Sequence, residues 1–408
     1  MLLKEGKSVA NIITNNIKDR SMKSKFLKIF LSIMILSLAL LSNMKVNYAE
    51  DNIPDQTIPK ELADKLNDSF KKENNTYKYP DYFGGMYIDD DNILVIKVTT
   101  EKAKKEIEEL LGKEGYRIDL VKFSYKELEE YAENFAMKNN VDGFSVDIRN
   151  NNAKIYTDDN DLIQAKNKLE TLNLNRNIKI KNVDLNVSKN MKDIPGVTIL
   201  KVSNEVTNAG IVGGSDIAYN GSRMTVGFSG HYGNRPAIVT AGHASFSVGD
   251  TVKYDGRVLG KVIFKNFYNG AFGEFSIIEV TNPYFKISNV IRYKNGEFRR
   301  LRAIDKNPVE GLYVSKYGHT TKDAVVQIKD TNYSSKLGQN IIKGRVLCRM
   351  VRGDSKGGDS GGPYYHYKNN KYHALGIHNS SLEINGKQHT TFTPVEAYGG
   401  IFSTKITD

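Results

Sequence analysis

Between residues 80 and 190 the apolar positions change period several times, and each change marks an element. Met86-Tyr87-Ile88, a turn at Asp89–Asn92 and the alternating run Ile93–Val98 read as a β-hairpin. Ala103, Ile107, Leu110 and Leu111 then recur at helical spacing, so a helix is expected over Glu101–Leu111, ended by Gly112 and Gly115. Tyr116–Phe123 reads as a further strand. Ser124 followed by Glu127 is a capping box opening a helix to about Lys138. The order then recurs: strands at Gly143–Ile148 and Ala153–Thr157 around an asparagine turn, a helix at Asp161–Leu172, and a strand at Asn177–Val183. Residues 80–190 therefore predict two small strand-strand-helix-strand units, and they bring no His, Cys or Ser together. Residues 50–80 are polar and read as a frayed lead-in. Beyond Pro195 the helical period disappears. Short strands and glycine-asparagine turns continue to the end, which predicts an all-β domain, with the boundary near 195–212.

The N-terminus carries a different pattern. Basic residues at Met22–Lys28 precede the apolar run Ile29–Leu41 and then Tyr48-Ala49-Glu50. That is the order of a secretory signal, too short for a membrane span, with cleavage expected after Ala49 and Met22 a candidate start. The organisation expected is 1–49 signal peptide, 50–205 N-terminal region and 206–408 β-domain. A secreted, extracellular protein without stable membrane association follows. The 408 residues carry a formal charge of +11, spread along the chain without a basic stripe of interleaved aromatics, so nucleic acid is not an expected partner. Cys348 is the single cysteine, which excludes an intrachain disulfide. It reads as a buried small hydrophobe.

Candidate chemistry sits in the β-domain. The loop Arg352–Pro363 contains Gly353-Asp354-Ser355 and Gly358-Asp359-Ser360. Turn chemistry alone accounts for such a cluster. His243, one of only 7 histidines, ends the apolar strand Ala237–Gly242. Together, Thr240-Ala241-Gly242-His243 and Gly358-Asp359-Ser360-Gly361-Gly362-Pro363 resemble the motifs of the chymotrypsin-fold serine peptidases. The likeness is strongest to the bacterial branch of α-lytic protease and the streptogrisins. Gly213–Ser222, Met224–Ser229, Tyr317–Thr321 and Phe392–Val395 are similar to further stretches of that branch. Gly84–Asp89, Ile93–Val98 and Phe144–Asn150 are similar to its long pro-region, which in the family assists folding and then blocks the active site.

The resemblance implies an all-β fold of two antiparallel six-stranded barrels behind an α+β pro-region. It implies a self-processed serine endopeptidase needing no metal or organic cofactor, whose partners are protein or peptide substrates and its own pro-region. Ser360 is implied as nucleophile, His243 as its base, and the N–H groups of Gly358 and Ser360 as the oxyanion hole. Where the family has an Asp, this chain has Glu274; Asp250 and Asp255 are the other candidates for the orienting acid. Positions bearing cysteines in relatives are Met224 and Ala244, and Val314 and Ala324. The pocket is ambiguous. Asp354, six before the nucleophile, resembles trypsin and a basic substrate residue. His378 in Gly376-Ile377-His378, with Ser355 and Ser381, resembles the glutamyl endopeptidases, and the weight lies slightly with Glu. The junction offers cleavage after Lys201 or after Glu205. The alternative is an inactive secreted binding or adhesion protein on a peptidase fold.

Overall fold

The computed structural model describes residues 54–73, 76–112, 114–138, 141, 143–157, 178–184, 210–293 and 297–406. The expected signal segment, the helix at Asp161–Leu172 and the junction residues Lys201 and Glu205 lie outside the described residues. Among the described residues no helix is long and apolar enough to cross a membrane.

The lead-in is not frayed. Thr57–Ser69 is a helix that buries Pro59, Lys60, Ala63, Leu66 and Asn67. Its sequence is polar because its anchor is polar: the Lys60 ammonium, 1% exposed, lies 2.8 Å from the buried Asp305 carboxylate. His366 Nε2 meets the same carboxylate at 2.8 Å. A buried ammonium is tolerable only with such pairing.

The first expected unit forms as Phe83–Ile88, Leu94–Val98, a helix at Glu101–Leu111, and Tyr116–Leu120. Its three strands pair in that order, antiparallel and then parallel across the helix. The Thr100 side chain caps the helix, and Gly112 at φ 93° closes it. Ala103, Ile107 and Leu111 are buried, whereas Leu110 faces solvent. The capping box closes as read: the Ser124 N–H donates to Glu127, and the Glu127 N–H to Ser124 Oγ. In the second unit Gly143–Asp147 pairs antiparallel with Asn152–Thr157, which pairs parallel with Ile178–Asp184.

Residues 210–406 form two antiparallel barrels. In the first, Asp216–Tyr219 pairs with Ser222–Thr225, which resumes as Phe228–Tyr232 after a two-residue break. The ring continues through Arg235–Thr240, Phe275–Val280, Arg257–Asn266 and Thr251–Tyr254, and returns to Asp216–Tyr219. In the second, Tyr313–Gly318, Lys322–Leu337, Asn340–Arg352, Lys387–Pro394, Lys371–Ile384 and Pro363–Lys368 pair in that order, and the last closes on the first. Each ring thus has six strands, as expected. One apolar cluster, including Phe228, Val239, Ile277, Tyr317 and Ile377, joins the two barrels.

The second N-terminal unit docks on the second barrel as extra strands, while the first keeps a three-stranded sheet of its own. Gly143 and Phe144 pair with Ser335 and Ser334, and Val183 and Asp184 with Ile384 and Glu383. Ion pairs stitch the seam: Arg149 to Glu310 at 2.9 Å, and Lys154 to Asp330 at 3.9 Å. Burial pushes the Glu310 carboxyl up to about 7, because its two basic neighbours offset only part of the desolvation.

Candidate active site

The cleft between the barrels brings together three side chains that are far apart in sequence. His243 follows the strand Arg235–Thr240, Glu274 precedes the strand Phe275–Val280, and those strands are neighbours. Gly242 makes the approach possible. A Cβ there would lie 2.7 Å from the Phe275 nitrogen and 3.1 Å from the Glu274 carbonyl carbon. Glu274 is fully buried. Its Oε2 accepts from the His243 backbone N–H at 2.6 Å, and its Oε1 lies 2.7 Å from His243 Nδ1. A carboxylate only accepts, so Nδ1 carries the hydrogen and Nε2 presents a lone pair. That lone pair points at Ser360 Oγ, 2.9 Å away. The Asn379 carbonyl lies 3.3 Å from the same hydroxyl.

The Glu274 backbone is fixed by residues that the motifs alone do not reveal. Its N–H donates to Thr393 Oγ1 at 2.8 Å, and the same hydroxyl lies 3.0 Å from its carbonyl. Asn379 Nδ2 reaches that carbonyl at 3.4 Å. Tethered there, a glutamate spans the gap with both oxygens engaged. Asp250 and Asp255 make no such approach. Asp250 accepts from the Ser247 N–H in a surface turn, and Asp255 sits exposed at φ 48° in the next turn.

The Ser360 loop is held from below by Asp359, which is fully buried. Its Oδ1 accepts from the Thr320 and Thr321 N–H groups at 3.0 Å each, and Oδ2 meets the Lys316 ammonium at 3.0 Å and the Thr321 hydroxyl. Burial alone would raise this carboxyl, but Lys316 and these donors hold it below its usual range. Lys316, immediately before the Tyr317–Thr321 motif, went unread because its partner lies in another segment. Lys316→Met leaves a buried carboxylate without its cation. It is expected to cost about 3–5 kcal/mol of stability, measured as a lower midpoint in denaturant; an unchanged midpoint refutes this role for the pair.

The two backbone donors expected in the loop, the N–H groups of Gly358 and Ser360, follow peptide carbonyls that are engaged elsewhere. The Gly357 carbonyl accepts from Thr320 Oγ1 at 2.9 Å, so the trans peptide turns the Gly358 N–H the opposite way. The Asp359 carbonyl is likewise taken by the Gly362 N–H at 2.9 Å. Among the described residues neither the Gly358 nor the Ser360 N–H donates to a protein acceptor. Gly361 must be glycine: its φ is 89°, and a Cβ would fall 2.0 Å from Thr240 Oγ1.

Beside Ser360 lies a chain of neutral polar groups. The Ser381 hydroxyl donates to Ser355 Oγ at 2.8 Å, and Ser355 Oγ lies 3.1 Å from His378 Nε2. His378 Nδ1 faces the Tyr364 hydroxyl at 3.2 Å, which donates to Thr390 Oγ1 at 2.8 Å. Burial, reinforced by nearby Lys316, pushes the His378 pKa well below that of a free imidazole. Asp354, the other residue expected at the pocket, has no side-chain hydrogen bond to His378 or Ser381 among the described residues. Its carboxylate pairs with the Lys356 ammonium at 2.8 Å and accepts from Gln388 Nε2 at 3.0 Å and from the Ser355 N–H at 2.7 Å. The short Asp-Ser-Lys turn gives it a cation of its own.

Cys348 is fully buried, and burial raises its thiol pKa well above the usual value. Met224 and Ala244 pack in one apolar cluster, and Val314 and Ala324 are also buried. Among the described residues no group of three or more His, Cys, Asp or Glu side chains is placed to hold a metal ion.

Residues 211–400 match the Trypsin family, and residues 47–122 match the Pro-like N-terminal domain family. No curated protein matches the chain in sequence. Among solved structures the chain is similar to Thermobifida fusca Protease A, at 22% identity over 48% of this chain and 100% of that one, with a TM-score of 0.41. It is similar to Cellulomonas bogoriensis chymotrypsin at 20% identity, again over 48% and 100%, with a TM-score of 0.40. A glutamic acid specific serine protease that utilizes a histidine triad in substrate binding matches at 24% identity, with the same coverage and a TM-score of 0.40.

Proposed function

We propose that this chain, a chymotrypsin-fold serine peptidase with a pro-region, is a secreted endopeptidase made as a self-processed zymogen that cleaves after Glu. The observation that carries the catalytic reading is the unbroken line from Glu274 through His243 to Ser360, with contacts of 2.7 and 2.9 Å. Ser360 Oγ attacks the scissile carbonyl while His243 Nε2 takes its proton. Glu274 holds the imidazole by Nδ1 and stabilises the imidazolium that forms. The oxyanion is received by the Gly358 and Ser360 N–H groups. His243 then protonates the leaving amine, and a water cleaves the acyl-enzyme by the reverse sequence. The substrate lies along strand Lys371–Ile384. The edge of that strand is closed up to His378 by the Ser360 loop and begins again at Glu383 with Val183 and Asp184.

The Glu preference rests on Ser355, Ser381 and His378, which converge beside the nucleophile, and on the pairing of Asp354 with Lys356. Hydroxyls and an imidazole can donate to a carboxylate, and no unpaired acid opposes it. Asp354→Asn is expected to change kcat/KM on Glu substrates less than about fivefold, the scale of an exposed ion pair. Matched peptides with Glu, Gln or Lys before the scissile bond test the pocket; a preference for Lys refutes the reading. On the same logic the mature chain begins at Val206, after Glu205. N-terminal sequencing that gives Val202 instead assigns maturation to a basic-site cut after Lys201.

A further inference from the structure

Behind His378, among the described residues, no acid or second histidine is hydrogen-bonded to the imidazole; Tyr364 faces Nδ1, and Thr390 lies behind Tyr364. The direction of their hydrogen bonds has a consequence. The Tyr364 hydroxyl spends its single proton on Thr390 Oγ1, so it offers a lone pair to His378 Nδ1. Nδ1 must therefore carry the hydrogen, and Nε2 is bare toward Ser355 and the pocket. A bare nitrogen and a substrate carboxylate are both acceptors, and they repel in a dry site. We propose that Tyr364, through Thr390, fixes the His378 hydrogen on Nδ1, so that a Glu side chain enters the pocket together with one proton taken up at Nε2.

This inference rests on the Glu reading of the pocket. Its chemistry balances without further reagents: one solvent proton joins Nε2, and the buried carboxylate faces an imidazolium that donates on both sides. The other charged groups around the ring are few. The Lys316–Asp359 pair lies beneath the Ser360 loop, and His243 lies across the cleft. The Cys348 thiol, behind Tyr364, stays protonated through burial. In the free enzyme the imidazole is neutral at neutral pH, because burial and Lys316 disfavour its charge.

The sign of the pH dependence follows. The free-state pKa of His378 is low, and a bound carboxylate raises it. Between the two values Glu binding takes up one proton and weakens about tenfold per pH unit as pH rises. A Gln substrate takes up none. The ratio of kcat/KM for matched Glu and Gln peptides cancels the titration of His243 and isolates this term.

The experiment measures that ratio across pH for the active enzyme and for Tyr364→Phe, with melting temperatures recorded. The wild-type ratio is expected to fall about tenfold per unit over part of the range. In Tyr364→Phe the Nδ1 acceptor is gone, so the hydrogen moves to Nε2, where Ser355 Oγ accepts it. Glu then binds without proton uptake, and the ratio becomes smaller and flat with pH. Thr390→Val, which frees the Tyr364 hydroxyl to donate to Nδ1, is expected to flatten it too and serves if Tyr364→Phe does not fold. A wild type that does not distinguish Glu from Gln overturns the pocket reading, and this inference with it. A strong but flat wild-type ratio, or folded variants that keep the wild-type slope, overturns the inference alone.

Discussion

Ser360→Ala should leave a folded protein with almost no peptidase activity, kcat falling by about six orders of magnitude, as for removal of an activated serine elsewhere. Among the described residues, the Ser360 hydroxyl is the one placed to attack a carbonyl and pass its proton to His243 Nε2, 2.9 Å away. The same variant should accumulate uncut, because the proposed self-processing would use the same serine. The loop's other serine gives the contrast. Ser355 Oγ meets His378 Nε2 and Ser381, not His243. Ser355→Ala should therefore keep measurable turnover and lose preference for Glu. Kinetics on one Glu peptide decide: a dead Ser355→Ala enzyme beside an active Ser360→Ala enzyme reverses the assignment. Normal maturation of Ser360→Ala places the processing in another protease.

Glu274→Gln should lower kcat by about four orders of magnitude with the fold intact, the scale of an acid-to-amide change at this position. Both carboxylate oxygens accept, one from the His243 backbone N–H and one from Nδ1. An amide can keep only one acceptor. With its oxygen on the backbone N–H, its NH₂ faces Nδ1 and forces the tautomer with hydrogen on Nε2. That tautomer cannot take the proton of Ser360. Unchanged kcat in a folded Glu274→Gln protein removes Glu274 from the mechanism. Two Thr393 bonds hold the Glu274 backbone, and from there its carboxylate reaches His243.

What could be read from the sequence was local. The strand periods, the helix at Glu101–Leu111 and the Ser124–Glu127 capping box depend on neighbours within a few residues, and they fold as their pattern dictates. The spacing of His243, Glu274 and Ser360 was legible because two of the three sit in short glycine-rich motifs with few alternative uses. The groups that escaped notice are joined across long separations. Lys60 reads as one more exposed lysine until Asp305 and His366 close around it. Lys316 looks like strand surface until Asp359 arrives beneath it. Asp354 reads as a pocket residue by position, and its pairing with the lysine two residues on is not visible in the motif. Tyr364 and Thr390 carry no motif, and their relation to His378 comes from strand register alone.

The central claim is that Ser360 is a nucleophile activated by His243 and Glu274. Its most direct test is labelling of the purified protein with a fluorophosphonate, followed by mapping of the tagged peptide. A tag on Ser360, absent in His243→Ala and strongly slowed in Glu274→Gln, is the predicted result. A tag on Ser355, or no reaction with the folded wild-type protein after its pro-region has been removed, contradicts the claim and supports a binding protein built on a peptidase fold.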